Sequence, residues 1–147
     1  MRTMTTPSIF QKSFDLADLN ARSTGTLSAA VGIAITEIGA DFLRGTLPVD
    51  TRTKQPFGLL HGGASVALAE TLGSLAGWLC RPEDGSNVVG IEINANHLRG
   101  MRQGQVTGTA RPLHLGNSTQ VWEIRIEDDA GHLVCISRLT LAVVAKR

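Results

Sequence analysis

The sequence has almost no charge excess. Its 14 Lys and Arg residues face 13 Asp and Glu, for a formal net charge of +1. Arg99, Arg102 and Arg111 recur without a dense basic cluster or interleaved aromatics, so no nucleic-acid partner is expected. Long apolar runs are lacking too. The longest, around residue 70, is broken by polar residues and ends near Arg81 and Pro82, short of a bilayer span, so no membrane partner is expected. The first residues, MRTMTTPSIFQKSF, have no continuous apolar stretch of the secretory kind, which gives a cytoplasmic expectation. Cysteine is scarce, with two residues. Cys80 and Cys135 have no histidine at metal-ligand spacing, and two buried, reduced thiols are expected. None of the four histidines forms an i,i+4 or His-x-His pair, so no metal site is expected. Internal repeats and low-complexity segments are also missing.

What is present is a globular composition, 42% hydrophobic and 18% charged, in a chain of 147 residues that suits one domain. Residues 1–19 read as a flexible tail, with a short helix possible over 16–22, and residues 20–147 read as the domain. Strands are expected over 30–37 and 41–49, around a turn at 38–40. A polar loop then leads to a helix over 64–79. The rest is β-rich, with strands over 88–96, 105–113, 120–127 and 133–144, and Asp128-Asp129-Ala130-Gly131 is a hairpin signal. Two strands, one long helix and four strands imply an α+β fold, a curved antiparallel sheet wrapped around that helix. The open edges of such a sheet favour pairing between copies, so at least a dimer is expected.

Glu70 is the residue that asks for a chemical explanation. It is the only ionisable residue in ASVALAETLGSLAGWL, residues 64–79, and a buried acid there is costly without partners or a task. Helical spacing places Gly63, Val66, Ala67, Gly73, Ser74 and Gly77 on its side. Interior glycines cost about 1 kcal/mol each relative to alanine, so either a ligand or another backbone comes close, or the helix packs tightly on the sheet. Spacing alone leaves both open.

Three separated motifs, QPFGLLHGGASVALAETLGS (55–74), VVGIEINANHLRG (88–100) and RPLHLGNSTQVWEI (111–124), closely resemble the hotdog-fold acyl-CoA thioesterases. The resemblance covers residues 20–144. It is nearest to the bacterial group that includes 1,4-dihydroxy-2-naphthoyl-CoA hydrolases and enterobactin proofreading thioesterases, and extends to 4-hydroxybenzoyl-CoA thioesterases of the Arthrobacter type. It implies a hotdog fold and hydrolysis of an acyl-CoA with an aromatic or bulky acyl group, dihydroxynaphthoyl-CoA of menaquinone biosynthesis among the candidates. It also implies an acyl-CoA or acyl or aryl carrier protein thioester as partner, no separate cofactor because coenzyme A belongs to the substrate, and a homodimer assembling into a homotetramer.

By the same resemblance Glu70 is the nucleophile or general base and the Gly62 N–H binds the thioester oxygen. Gln55 and His61 position the carbonyl and the loop, and Ser74 helps the attacking water. Gly90, the run His97, Leu98, Arg99, Gly100, and the run His114, Leu115, Gly116, Asn117, Ser118, Thr119 border the coenzyme. The pocket lies between subunits. A thioester asks for little more, since a thiol with pKa near 8.5 leaves well as the thiolate. Direct attack by Glu70 and water activation by Glu70 both stay open. Two rivals are a hotdog hydratase or dehydratase and a silent acyl-CoA-binding module. From residue types alone His61 reads as a cap, Asp128 and Asp129 as turn residues, His132 as solvated, and Trp78 and Trp122 as core.

Overall fold

The computed structural model describes residues 7–146. Its elements in chain order are α1 (Leu16–Ala21), α2 (Leu27–Val31), β1 (Ala34–Ile38), β2 (Leu43–Pro48), α3 (Gly62–Leu79), β3 (Asn87–His97), β4 (Gln105–Leu115), β5 (Thr119–Glu127) and β6 (Leu133–Val144). All pairings are antiparallel, in the order β1-β2-β4-β5-β6-β3. After α3 the chain therefore re-enters at the far edge, and β1 and β3 are the two edges. Among the described residues no helix is long and apolar enough to cross a membrane.

The long helix α3 lies across β2 to β6. Burial alternates along β2 and β5, as expected of strands with one face on a core. Leu68, Leu72, Ala76 and Leu79 of α3 bury against Leu43, Val106, Trp122, Ile124 and Leu139 of the sheet. Leu72 packs into a slot that Gly45 and Gly108, cross-strand partners in β2 and β4, leave open. A Cβ on Gly108 would stand 2.7 Å from Leu72 Cδ1 and 3.2 Å from Leu68 Cδ2. Gly108→Val is accordingly expected to cost roughly 1–3 kcal/mol of stability by overpacking, read as a lower denaturant midpoint with an unchanged slope.

The helix glycines are settled by the same packing. A Cβ on Gly73 would stand 2.6 Å from Leu139 Cδ2, and one on Gly77 2.5 Å from both Leu141 Cδ1 and Gln120 Oε1. Both face the sheet, so of the two explanations open at the sequence level, helix-on-sheet contact accounts for them. Close by, the Trp122 indole N–H donates to Gln120 Oε1 (3.0 Å) and Gln120 Nε2 donates to Gly77 O (3.3 Å), which satisfies a buried polar pair.

Two expectations fail. Residues 27–31 form a helix, ended by Gly32 in the left-handed region (φ 82°), and the first strand begins only at Ala34. Alternation over 30–37 reads as one strand, but its first residues close a helical turn that Gly32 ends. The amino-terminal stretch is not a loose tail either, although its first six residues lie outside the described ones. Ile9 N–H donates to Ala40 O, and the N–H groups of Gln11 and Lys12 donate to Leu79 O, satisfying a carbonyl at the end of α3. The Lys12 side chain is 3% exposed. Its Nζ donates to Pro82 O (3.0 Å), lies 3.4 Å from a Glu83 carboxylate oxygen and 5.2 Å from the Trp78 ring centroid. Leu19, assigned to the same tail, is buried in α1. Ile9, Phe10 and Phe14 supply the apolar contacts, but without a period that reads as an element.

Cys80 and Cys135 are free and buried. Burial pushes the Cys80 thiol up to about 12 and raises that of Cys135.

Candidate active site

The loop between β2 and α3 is built from short-range hydrogen bonds. Thr53 Oγ1 donates to Pro48 O (2.6 Å), Gln55 N–H to Leu59 O (2.8 Å) and Gly58 N–H to Gln55 O (2.9 Å), with Gly58 at φ 79°. The Gln55 side-chain oxygen accepts the Phe57 N–H. That leaves the Gln55 amide NH2 to donate elsewhere. The loop closes when His61 N–H donates to Thr53 O and Leu60 N–H to Met101 O.

His61 is the N-cap of α3: its Nδ1 accepts the Gly63 N–H at 2.8 Å. An accepting Nδ1 puts the hydrogen of the neutral ring on Nε2. With Gly63 satisfied by this cap, Gly62 is the first helical residue, and among the described residues its N–H has no acceptor. An open N–H at the positive end of an 18-residue helix favours negative charge. The His97 ring lies against it, with Nε2 2.8 Å from where a Cβ on Gly62 would stand. Gln55, Gly62, His97, Leu98, Arg99 and Gly100 share one cleft of about 340 Å³. Ser65, buried and lining the same cleft, was missed in the sequence, although it stands one turn after Gly62.

Glu70 stands elsewhere, two turns further along α3 and facing the edge strand β3. A Cβ on Gly90 would be 2.5 Å from Glu70 Oε1. The glycine therefore leaves room for the carboxylate, beside an irregularity in β3 between Gly90 and Glu92. The resemblance placed Gly90 at the coenzyme, whereas its observed neighbour is the acid. Burial raises the Glu70 pKa above its ordinary value, and the Ser74 hydroxyl, one turn on, pulls it back part of the way. Gly90→Ala is expected to lower kcat more than it raises KM, because the added methyl displaces the carboxylate while the exposed edge strand tolerates it. Steady-state kinetics beside a thermal melt separate that effect from misfolding.

The run His114–Thr119 lies at the opposite end of the sheet. Thr119 pairs with Ala142 of β6, and His97 pairs with Cys135 of the same strand. At about 3.3 Å per residue the two positions are roughly 23 Å apart. His114 Nε2 packs on Gly116, whose N–H donates to Thr119 O, and Ser118 O accepts from Val143 N–H. Within one chain, then, the first coenzyme run joins Gln55 and Gly62, while the second does not. Ser74 opens into a further hollow beside Arg22, Thr71 and Trp78.

One long helix crossed by a six-stranded antiparallel sheet is the hotdog arrangement, and the relatives of this chain make it a thioester hydrolase of that fold. The chain belongs to the thioesterase superfamily, whose family model matches residues 57–135. It is 54% identical over 136 residues to the 1,4-dihydroxy-2-naphthoyl-CoA hydrolase of Escherichia coli strain K12, covering 92% of this chain and 99% of that one. Against the proofreading thioesterase EntH of Cronobacter turicensis identity is 57%, covering 92% and 98%. The crystal structure of a thioesterase from Haemophilus influenzae superposes with a TM-score of 0.91 at 52% identity, covering 93% of this chain and 95% of that one.

Proposed function

We propose that this chain hydrolyses acyl-CoA thioesters with an aromatic or bulky acyl group to the free acid and coenzyme A, in a site that two copies complete. The carrying observation is the separation of acid and oxyanion donor. Gly62 and Glu70 lie about 12 Å apart along α3 at 1.5 Å of rise per residue. A carbonyl held at the Gly62 N–H needs its attacker within about 3–3.5 Å. One chain cannot provide both, but a second copy placing its β3 edge and Glu70 opposite the Gly62 cleft can. The same pairing would cover exposed Val89 and Ile91 on that edge.

In this reading the thioester oxygen takes hydrogen bonds from Gly62 N–H and Gln55 Nε2. Glu70 of the second copy either attacks the carbonyl carbon, expelling the thiolate and leaving a mixed anhydride that water opens, or takes a proton from the water that attacks. Ser74 orients that water. His61 acts through the loop by capping α3. Arg99 faces the coenzyme phosphates, with His97, Leu98 and Gly100 beside it. His114, Leu115, Gly116, Asn117, Ser118 and Thr119 serve a coenzyme bound mainly by other copies, which calls for a homodimer paired into a homotetramer. Coenzyme A enters as part of the substrate and no separate cofactor is required. The E. coli relative's name makes dihydroxynaphthoyl-CoA the leading physiological candidate, with menaquinone biosynthesis in the cytoplasm as the setting; a carrier-protein thioester, which the sequence resemblance also implies, is the next.

The test is a kinetic panel of aryl, branched and straight acyl groups, each on coenzyme A and on carrier protein, with product analysis. Free thiol released fastest from aryl-CoA is the expected result. Water added to or lost from an acyl chain with the thioester intact would refute hydrolysis.

A further inference from the structure

The hollow into which Ser74 opens holds about 470 Å³ between α1, the second half of α3 and the start of β3. Its walls are of two kinds. Leu19, Leu75, Trp78 and Val88 are apolar, and between them stand hydroxyls, with Ser28 Oγ 3.3 Å from Thr71 Oγ1. One cation is present, the Arg22 guanidinium, whose carbon lies 4.7 Å from the Trp78 ring centroid and 5.4 Å from that of Phe14. Trp78 thus carries two cations, Arg22 and Lys12. Lys12 has the Glu83 carboxylate 3.4 Å away, whereas Arg22 has no carboxylate within 4 Å among the described residues, Asp18 one turn back included.

Arg22 does not sit there by accident of a loose terminus. The Asn20 amide ties α1 to β1 in both directions, donating to Ile35 O (2.9 Å) and accepting the Ile35 N–H (2.8 Å), and it also donates to Leu16 O (2.8 Å). Asp15 caps the helix start through Asp18 N–H (2.8 Å). The far rim of the hollow is therefore fixed, and the near rim is Ser74, one turn after Glu70 on α3. Thr71 and Ser74, the residue after Glu70 and the one a turn beyond it, both line this hollow, which brings it next to the acid.

We propose that the hollow receives the acyl group and that Arg22 selects acyl groups carrying an anionic oxygen of their own, a carboxylate or an ionised phenol, with Trp78 and Val88 as the walls against the ring. This rests on the hydrolytic reading given above. A planar guanidinium held on an indole has already lost much of its freedom, and its remaining N–H groups suit a carboxylate or phenolate oxygen. Hydroxyls around an otherwise apolar wall can bond the same oxygen without admitting a second charge.

The test compares kcat and KM for benzoyl-CoA, a hydroxybenzoyl-CoA and a carboxybenzoyl-CoA in the wild type, Arg22→Met and Arg22→Lys. Methionine keeps an apolar stem on Trp78 and removes the charge. The expected result is a wild-type preference for the oxygen-bearing substrates, with the kcat/KM ratio to benzoyl-CoA falling about tenfold in Arg22→Met through KM, the scale of one hydrogen bond to a charged group. Arg22→Lys restores part of that ratio, more for the carboxylate than for the phenol. An unchanged ratio in Arg22→Met, or no wild-type preference, overturns the role of Arg22 and leaves the hydrolytic reading standing. Failure of the wild type to hydrolyse any of the three overturns the hydrolytic reading itself, and the selection with it.

Discussion

Glu70→Gln is expected to lose about 10²- to 10⁴-fold in kcat, the usual contribution of a base or nucleophile, and at the same time to melt at a higher temperature at neutral pH. The two effects share one cause. Burial beneath β3 raises the Glu70 pKa in the folded chain, so the native state binds this proton more tightly than the unfolded chain does. Ionised Glu70 therefore opposes folding once the pH exceeds its folded pKa. The penalty disappears below the unfolded value, where both states are protonated. Glutamine keeps the shape without the charge, so its gain in melting temperature is expected at neutral and alkaline pH and to fade in acid. Wild-type kcat/KM is expected to fall with acidification through that same raised pKa. Full hydrolysis by the variant would remove Glu70 from the chemistry. A variant that loses both activity and stability would make the carboxylate a structural partner instead. Glu70→Ala is the weaker probe, because it also opens a gap against Gly90.

Mixing two inactive variants is expected to restore turnover. If Glu70 of one copy works at the Gln55 and Gly62 cleft of another, a dimer of one Glu70→Gln chain and one Gln55→Ala chain contains one site with both changes and one with neither. Free reassortment into two-fold dimers would recover about a quarter of wild-type activity. A site contained within one chain predicts no more than the averaged residual activity of the two parents. Co-expression with two purification tags and isolation of the doubly tagged species makes the comparison direct, since the isolated mixed dimer keeps one intact site of two and is expected to reach about half of wild-type activity. The geometry behind this expectation is the roughly 12 Å of helix between Gly62 and Glu70.

Much of the fold was legible because its signals are local. β6 was read with the same bounds the structure gives, and α3 differs only by the two glycines at its start. Period-2 burial, turn glycines such as Gly131 at φ 83° and one long, mostly apolar helix leave few alternatives. The failures lie where tertiary contact decides. The amino-terminal stretch is held by Leu79 O and Trp78, neither of which is a neighbour in sequence. Among the site residues, Glu70 stood out as a lone acid and the Gly62 N–H was named through the resemblance, whereas the reason it stays open, His61 bonding Gly63 and not Gly62, needed the structure. Gly73 and Gly77 show the limit from the other side. Helical spacing put them near the acid, and only the sheet's position assigned them to Leu139 and Leu141. Arg22 carried no signal at all, since an arginine after a short helix gives no hint of the ring it will cover.

The two cysteines have a practical bearing on all of these experiments. Both are enclosed, and their thiols are held well towards the protonated form, the state that reacts poorly with disulfide reagents. The coenzyme released by hydrolysis is itself a free thiol in water. A chromogenic disulfide present throughout the assay will therefore report the product and leave the native protein silent, and a slow colour change without substrate becomes a direct gauge of unfolding.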